Sequence, residues 1–253
     1  MSTQARPADK RTQRIVLGIL LGIVPAGLLF FKLFENHYTT LPHYGQHEVN
    51  APGDTTYFQV PEWSFTDQDG NTVSSESTKD RILVVDFFFT TCKSICPIMS
   101  TRMAGLQVNI PLHDEAYKDV LFLSYTVDPE HDTREVLKEY ARQHKADSAR
   151  WKFLTGDAAS IYRLGNTGYL ISVLEDTTPP SFIPEEFRDP NEAKADSAYA
   201  ERFVHSPNFV LVDKQRHIRG VYDGTTSTGT KDLVNDIKLL IGEERKRKRE
   251  GEK

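Results

Sequence analysis

Dense apolar runs punctuate this chain, and their lengths separate into two kinds. The first, Ile15–Phe31, is seventeen consecutive residues without a charge, and Leu33 and Phe34 extend it past Lys32. A bilayer needs about 20 mostly apolar residues, so residues 15–34 predict a transmembrane anchor whose Lys32 reaches back to the headgroups. The bulky residues that follow offer no small-x-small cleavage site, which argues against a removed signal peptide. Every later run is only four to eight residues long, the length of a strand in a globular core.

Residues 35–56 are polar, rich in turn formers and without apolar periodicity, and read as a linker. From Tyr57 the pattern becomes globular. The stretch WSFTDQDGNTVSS predicts a hairpin turning at Asp69-Gly70. Asp67-x-Asp69-Gly70 also resembles part of a calcium loop, but it lacks the spacing and the closing glutamate. Buried strands are predicted over Arg81–Phe89 and Val120–Val127, each followed by a helix. The first helix starts at Pro97 and the second follows Thr133 as N-cap. Trp151–Leu154 reads as a short strand and DAASIYRLGN as a short helix. Asn208–Asp213 and His217–Tyr222 pair as a hairpin across Lys214-Gln215-Arg216, and Lys231–Ile241 closes the pattern as an amphipathic helix. This alternation predicts an α/β fold with a mixed central β-sheet flanked by helices over residues 57–243. Residues 175–201 interrupt it with eight acids, two bases and four prolines, an acidic insertion loop. Residues 244–253 are a charged C-terminal tail.

Charge places the pieces. Arg6, Lys10, Arg11 and Arg14 precede the apolar run, so residues 1–14 are expected in the cytoplasm and the rest outside. A bacterial inner-membrane protein crossing once, with a periplasmic domain, fits best. Of 31 basic and 36 acidic side chains, four and one fall in the first fourteen residues, which leaves 27 against 35 and a formal charge of −8. Such a surface excludes nucleic acid as an expected partner.

Only two cysteines occur, Cys92 and Cys96, in TTCKSICP between the first buried strand and its helix. A disulfide closing so small a loop removes little unfolded-state entropy, so stability alone does not explain the pair. Backbone N–H groups at a helix start favour a thiolate and are expected to lower its pKa, and Pro97 suits the first turn. Soft thiolates select Cu(I), zinc or iron–sulfur clusters. Structural zinc takes four ligands, whereas a Cys₂His set suits copper. His113, His131, His144, His205 and His217 are the candidates for the third ligand, and spacing separates them little. His37, His43 and His47 lie in the linker and read as solvated.

FFFTTCKSICPIMS, SYTVDPEHDTREVLKEYA, FLTG and FVHSPNFVLVDKQRHIRGVYDG together strongly resemble the Sco/SenC family of membrane-anchored copper chaperones, over about residues 57–243. The resemblance implies a thioredoxin-like fold and a part in building the dinuclear copper centre of cytochrome c oxidase. It implies Cys92, Cys96 and His205 as ligands to copper, as Cu(I) and also Cu(II). Asp128 matches the aspartate of V-D-P-E-x-D-T, with a supporting electrostatic role or a turn-forming one. Val204 stands where the family commonly has an aspartate, and the loop before His205 is longer than usual; both bear on access and on what orients the imidazole.

Two functions follow. One is a metallochaperone passing copper to the copper-binding subunit of cytochrome c oxidase or to another cuproprotein. The alternative is a thiol–disulfide reductase in which Cys92 and Cys96 keep the acceptor's cysteines reduced, drawing on a thiol reductant partner. A peroxiredoxin is disfavoured because P-x-x-x-[ST]-x-x-C is absent before Cys92.

Overall fold

Two neighbouring strands have almost no solvent-facing side, and the rest of the fold is built around them. The computed structural model describes residues 40–51, 54–110, 114–175 and 203–251, with a few helical positions between 18 and 30. The strand β5 (Ile82–Phe88) is buried at all seven positions, and its parallel neighbour β6 (Val120–Thr126) at all but Leu121. Burial on both faces is why these strands read as unbroken apolar runs.

A seven-stranded sheet runs in the order β11-β10-β5-β6-β7-β3-β4. Its members besides β5 and β6 are β3 (Ser64–Asp67), β4 (Thr72–Ser74), β7 (Trp151–Thr155), β10 (Asn208–Val212) and β11 (Ile218–Asp223). β5, β6 and β7 are parallel, whereas β10 on one side and β3 on the other run antiparallel to them. The sheet is therefore mixed, as predicted. Its helices are α1 (Cys96–Asn109), α2 (Arg134–Gln143), α3 (Ala158–Arg163) and α4 (Ser227–Gly251). Thr133 caps α2, its side chain accepting from Val136 N. In the core Phe87 stacks on Tyr125 at 5.2 Å, and Trp63 and Phe65 meet Tyr125 edge-on.

Two boundaries differ from the sequence reading. The chain divides into compact units at Met1–Thr40 and Leu41–Lys253, so the globular part begins inside the stretch read as linker. There β1 (His47–Ala51) and β2 (Asp54–Tyr57) form an antiparallel ladder. β1 is exposed at every position, so no apolar alternation betrays it. The anchoring instead comes from Arg219 on β11, whose side chain is only 1 % exposed. It donates to the carbonyls of Leu41 (2.7 Å) and Pro42 (3.0 Å) and pairs with Asp213 (3.1 Å) and Glu243 (2.7 Å). Burial first, then the charges of Arg219 and His217, lower the nearby His43 to about 4. At the other end, α4 carries the charged tail as helix to Gly251. Ion pairs Glu244–Arg247 (3.1 Å) and Lys246–Glu250 (4.0 Å) join successive turns, and such spacings favour helix.

In the first unit the described positions up to Phe30 are helical, and Ile19, Ile23 and Phe30 are exposed. Among the described residues no helix is long and apolar enough to cross a membrane; most of the apolar run 15–34 lies outside them, as do His37, His113 and the acidic loop from Asp176 to Glu201.

Replacing Arg219 by Met strands two buried carboxylates. Arg219→Met is expected to destabilise the protein by about 3–5 kcal/mol, measured as a lower urea midpoint of the full chain. An unchanged midpoint would show that the cluster contributes nothing net.

Candidate metal centre

The cysteines sit where β5 ends and α1 begins, and the helix start explains their arrangement. Ile95, the N-cap residue, offers no side-chain hydrogen bond, and Pro97 occupies the first turn. A helix start leaves unpaired N–H groups that need acceptors. Cys92 supplies one: its sulfur accepts from the backbone N–H of Cys96 at 3.4 Å. Ser94 Oγ lies 3.5 Å from the same sulfur. Both cysteines are buried thiols with no disulfide between them.

Helix-start stabilisation was expected to lower the thiol pKa, and for Cys96 the reverse holds. Burial pushes the Cys96 thiol well above its ordinary value, and the adjoining Cys92 thiol and the Asp86 carboxylate push the same way. Desolvation outweighs the helix because Cys96 is fully buried, and because the N–H at the helix start is directed to Cys92. The two thiols are therefore unlike.

Beneath them runs a buried polar chain. Trp151 Nε1 donates to Ser124 Oγ (2.9 Å), and Ser124 Oγ donates to Asp86 Oδ1 (2.5 Å). Asp86 is the lone acid in ILVVDFFF, held at 1 % exposure.

The loop is braced from β6. Asp132, fully buried, accepts from Thr90 N (3.0 Å), from Thr126 Oγ1 (2.5 Å) and from the Thr90 hydroxyl, and His131 Nδ1 lies 2.9 Å away. Asp128 is also buried. Its N–H donates to Thr126 Oγ1 (3.0 Å), its Oδ1 accepts from His131 N (3.4 Å), and its carbonyl accepts from Asp132 N (2.9 Å). Asp128 thus shapes the turn from which Asp132 reaches the cysteine loop. Acid and imidazole atoms of Asp128, His131 and Asp132 lie within 4.8 Å of one another. Asp132 was absent from the sequence reading; the T-V-D-P-E-H-D spacing of a turn entering a helix was its only signal.

His205 ends β9 (Phe203–His205), which pairs with β8 (Val173–Glu175) so that His205 faces Val173. The position of β8 is set by Asn166, in the π-helical turn Leu164–Gly168: its amide donates to Val173 O (2.7 Å) and accepts from Val173 N (2.9 Å). A side chain at Gly165 would collide with Val173, coming within 2.5 Å, so the turn and the strand are closely fitted. From His205 the chain enters β10, whose residues Val210 to Val212 pair with Val85 to Leu83. That antiparallel register puts the start of β10 at the end of β5, the same end of the sheet as Cys92 and Cys96. The side chain of His205 lies outside what is described. Of the other histidines, His144 is half-buried against Tyr140, its ring 4.5 Å away, and burial lowers its pKa. His217 bonds Asp213 at the far end of β10.

A mixed sheet with two thiols between a central strand and the following helix defines the thioredoxin-like class. A model of the SCO1/SenC family matches residues 53–242, and the chain belongs to that family. It is 30 % identical over 185 residues to the SCO1 protein homolog of Bacillus subtilis, covering 73 % of this chain and 84 % of that one. Among solved structures, a SCO1/SenC family lipoprotein from Bacillus anthracis superposes with TM-score 0.57 at 28 % identity, over 72 % of this chain and 94 % of that one. Bradyrhizobium japonicum ScoI, solved with copper bound, shares the fold at TM-score 0.52 and 20 % identity, over 72 % and 99 % of the two chains.

The buried charge of Asp86 opposes ionisation of Cys96, so its removal favours the thiolate. In a Cys92→Ser background, Asp86→Asn is expected to move the pH profile of Cys96 alkylation to lower pH, with severalfold faster labelling at fixed pH. A profile that stays in place would mean that Asp86 does not act on the thiol.

Proposed function

We propose that this protein is a copper metallochaperone, with Cys92, Cys96 and His205 as the ligands that carry Cu(I), and Cu(II) as well. The observation that carries this reading is the convergence of both thiols at the start of α1, at the sheet end reached by the strand of His205. Two soft sulfurs and one imidazole suit three-coordinate copper, whereas structural zinc takes four protein ligands. Family members solved with copper bound support it. The metal is cargo, passed by ligand exchange to the copper-binding subunit of cytochrome c oxidase, or to another cuproprotein, during assembly. The acceptor reading draws support from BsSco, a member of the Sco family of cytochrome c oxidase assembly proteins, to which this chain is 28 % identical with TM-score 0.56.

Residues 15–34 are the proposed single-pass anchor in a bacterial inner membrane, with residues 1–14 cytoplasmic and the domain periplasmic. Shared anchoring with the acceptor raises the local concentration and removes the need for a large interface.

A second reading, thiol–disulfide reductase, is favoured by the inequality of the thiols. Cys92, which receives the helix N–H, attacks an acceptor disulfide, and Cys96 then displaces it. The acceptor gains two electrons and two protons as Cys92 and Cys96 become a disulfide, which a thiol partner reduces. The disulfide switch identified in BsSco supports it.

The full chain in detergent, reduced and anaerobic, is titrated with Cu(I) against a competing chelator, beside His205→Ala. One equivalent is expected, weakened at least about tenfold by the substitution, the scale on which even supporting residues act at metal sites. Binding indifferent to His205 would sink the chaperone reading and put the reductase in front. Because burial keeps Cys96 protonated at neutral pH, binding must expel its proton. Apparent Cu(I) affinity is therefore expected to rise about tenfold or more per pH unit through neutrality, and a flat profile would show that Cys96 is not a ligand.

A further inference from the structure

We propose a second metal site, unconnected with the cysteines, in which His43 and His217 bind a divalent ion of the imidazole-seeking class with Asp213 at its edge. The proposal does not rest on the chaperone reading. Ligand atoms of these three residues lie within 4.8 Å of one another, although His43 and the other two are some 170 residues apart in the chain.

The backbone of each histidine is held in place before any ion arrives. His217 closes the turn between β10 and β11, its N–H donating to Asp213 Oδ1 at 2.9 Å and its carbonyl accepting from Asp213 N at 3.0 Å. Its Nδ1 lies 3.3 Å from Asp213 Oδ2. A carboxylate on one ring nitrogen of a histidine sets the tautomer and leaves Nε2 as the donor, an arrangement common behind metal-bound imidazoles. His43 is held from both sides. Arg219 binds the carbonyls of Leu41 and Pro42 just before it, and Tyr44 N donates to Ile218 O (2.9 Å) just after it. Its ring stacks on Tyr57 at 3.8 Å and meets the ring of His217 edge-on at 5.2 Å. Both histidines are partly exposed, which leaves the ion a path in and room for water as further ligands.

The buried cation beside them does not forbid the ion. Arg219 faces two carboxylates, Asp213 and Glu243, so the cluster without the histidines carries one net negative charge. Two nitrogens held at about 2.0 Å from one ion sit roughly 3 Å apart; rotation of the half-exposed His43 ring closes the present separation. Imidazole donors without thiolate suit Cu(II), Zn(II) and Ni(II), and the general order of divalent affinities puts Cu(II) first.

The site lies at the opposite end of β10 from His205. Five strand residues separate the two ends, roughly 17 Å, too far for one ion to be shared. An ion here would fasten the segment entering the domain to the end of the sheet, adding a metal clasp to the hold that Arg219 already has.

The test uses the full chain in detergent, in a Cys92→Ser/Cys96→Ser/His205→Ala background that removes the cysteine centre. Cu(II) alone is the probe, titrated against glycine and followed by electron paramagnetic resonance. One equivalent showing coupling to two imidazole nitrogens is expected, weakened at least about tenfold by His43→Ala or by His217→Ala. Thermal melting gives a second readout: Cu(II) should raise the midpoint of the background protein and leave that of the His43→Ala protein unmoved. Equal Cu(II) affinity with and without both histidines would overturn the site, as would loss of the equivalent on His47→Ala with His43→Ala silent.

Discussion

The start of α1 has no capping side chain, and much of the cysteine chemistry follows from that lack. Ordinary helices satisfy their first N–H groups with Ser, Thr, Asp or Asn. Here Ile95 is at the cap and a sulfur four residues earlier takes the Cys96 N–H. The spacing of the cysteines is therefore a structural requirement as well as a chemical one. Three intervening residues let the chain fold back from Phe89, which accepts from Cys92 N at 3.3 Å, and bring the first sulfur to the Cys96 N–H. The same geometry makes the thiols unequal: the Cys96 N–H serves the Cys92 sulfur, while burial, the Cys92 thiol and Asp86 raise the Cys96 thiol against a backbone hydrogen bond with Phe89.

The loop that presents this sulfur packs into the core through Phe89 and Cys92 and is braced by Asp132. One carboxylate gathers the backbone and hydroxyl of Thr90 and the hydroxyl of Thr126, tying the second residue past β5 to the end of β6. Because β5 and β6 pair in parallel register through Phe88 and Thr126, the two strands finish together and Asp132 closes the gap between their ends. His205 is placed by an independent route: Asn166 fixes Val173, and Val173 fixes β9. The dithiol and the backbone at His205 thus hang on separate braces, one from each side of β5, and the β8–β9 ladder does not act through Asp132.

Much of this was legible in the residues. Burial on both faces left β5 and β6 as apolar runs that have no other reading, the Asp69-Gly70 turn declared its hairpin, and the close cysteine pair stood out. What was not legible was tertiary. Asp86 is a single acid within an apolar run, and only its contact with Ser124 shows why it is tolerated there. The dipole argument for a lowered thiol pKa was blind to depth, and depth wins at Cys96. Residues 41–57 lack apolar periodicity because β1 has no buried side; what holds that segment is Arg219, more than 160 residues further on. The tail read only as a run of charge, yet the pairs Glu244–Arg247 and Lys246–Glu250 fall at helical spacing.

The two ends of β10 divide the molecule's polar chemistry. At the end lying beside the last residues of β5, the groups are soft and buried: two sulfurs with a carboxylate beneath. At the other end they are harder and wetter: imidazoles, carboxylates and a guanidinium around the turn Asp213–His217. A thiol-rich pocket of low polarity prefers a monovalent soft ion, since it need not solvate a second positive charge. A cluster with net negative charge and nitrogen donors prefers a divalent one. The β10 strand itself is apolar and buried from Phe209 to Val212, so the strand offers no polar path from one end to the other. If both proposed sites hold, separation by a dry strand would let one small domain keep two ions of opposite preference without either site stripping the other.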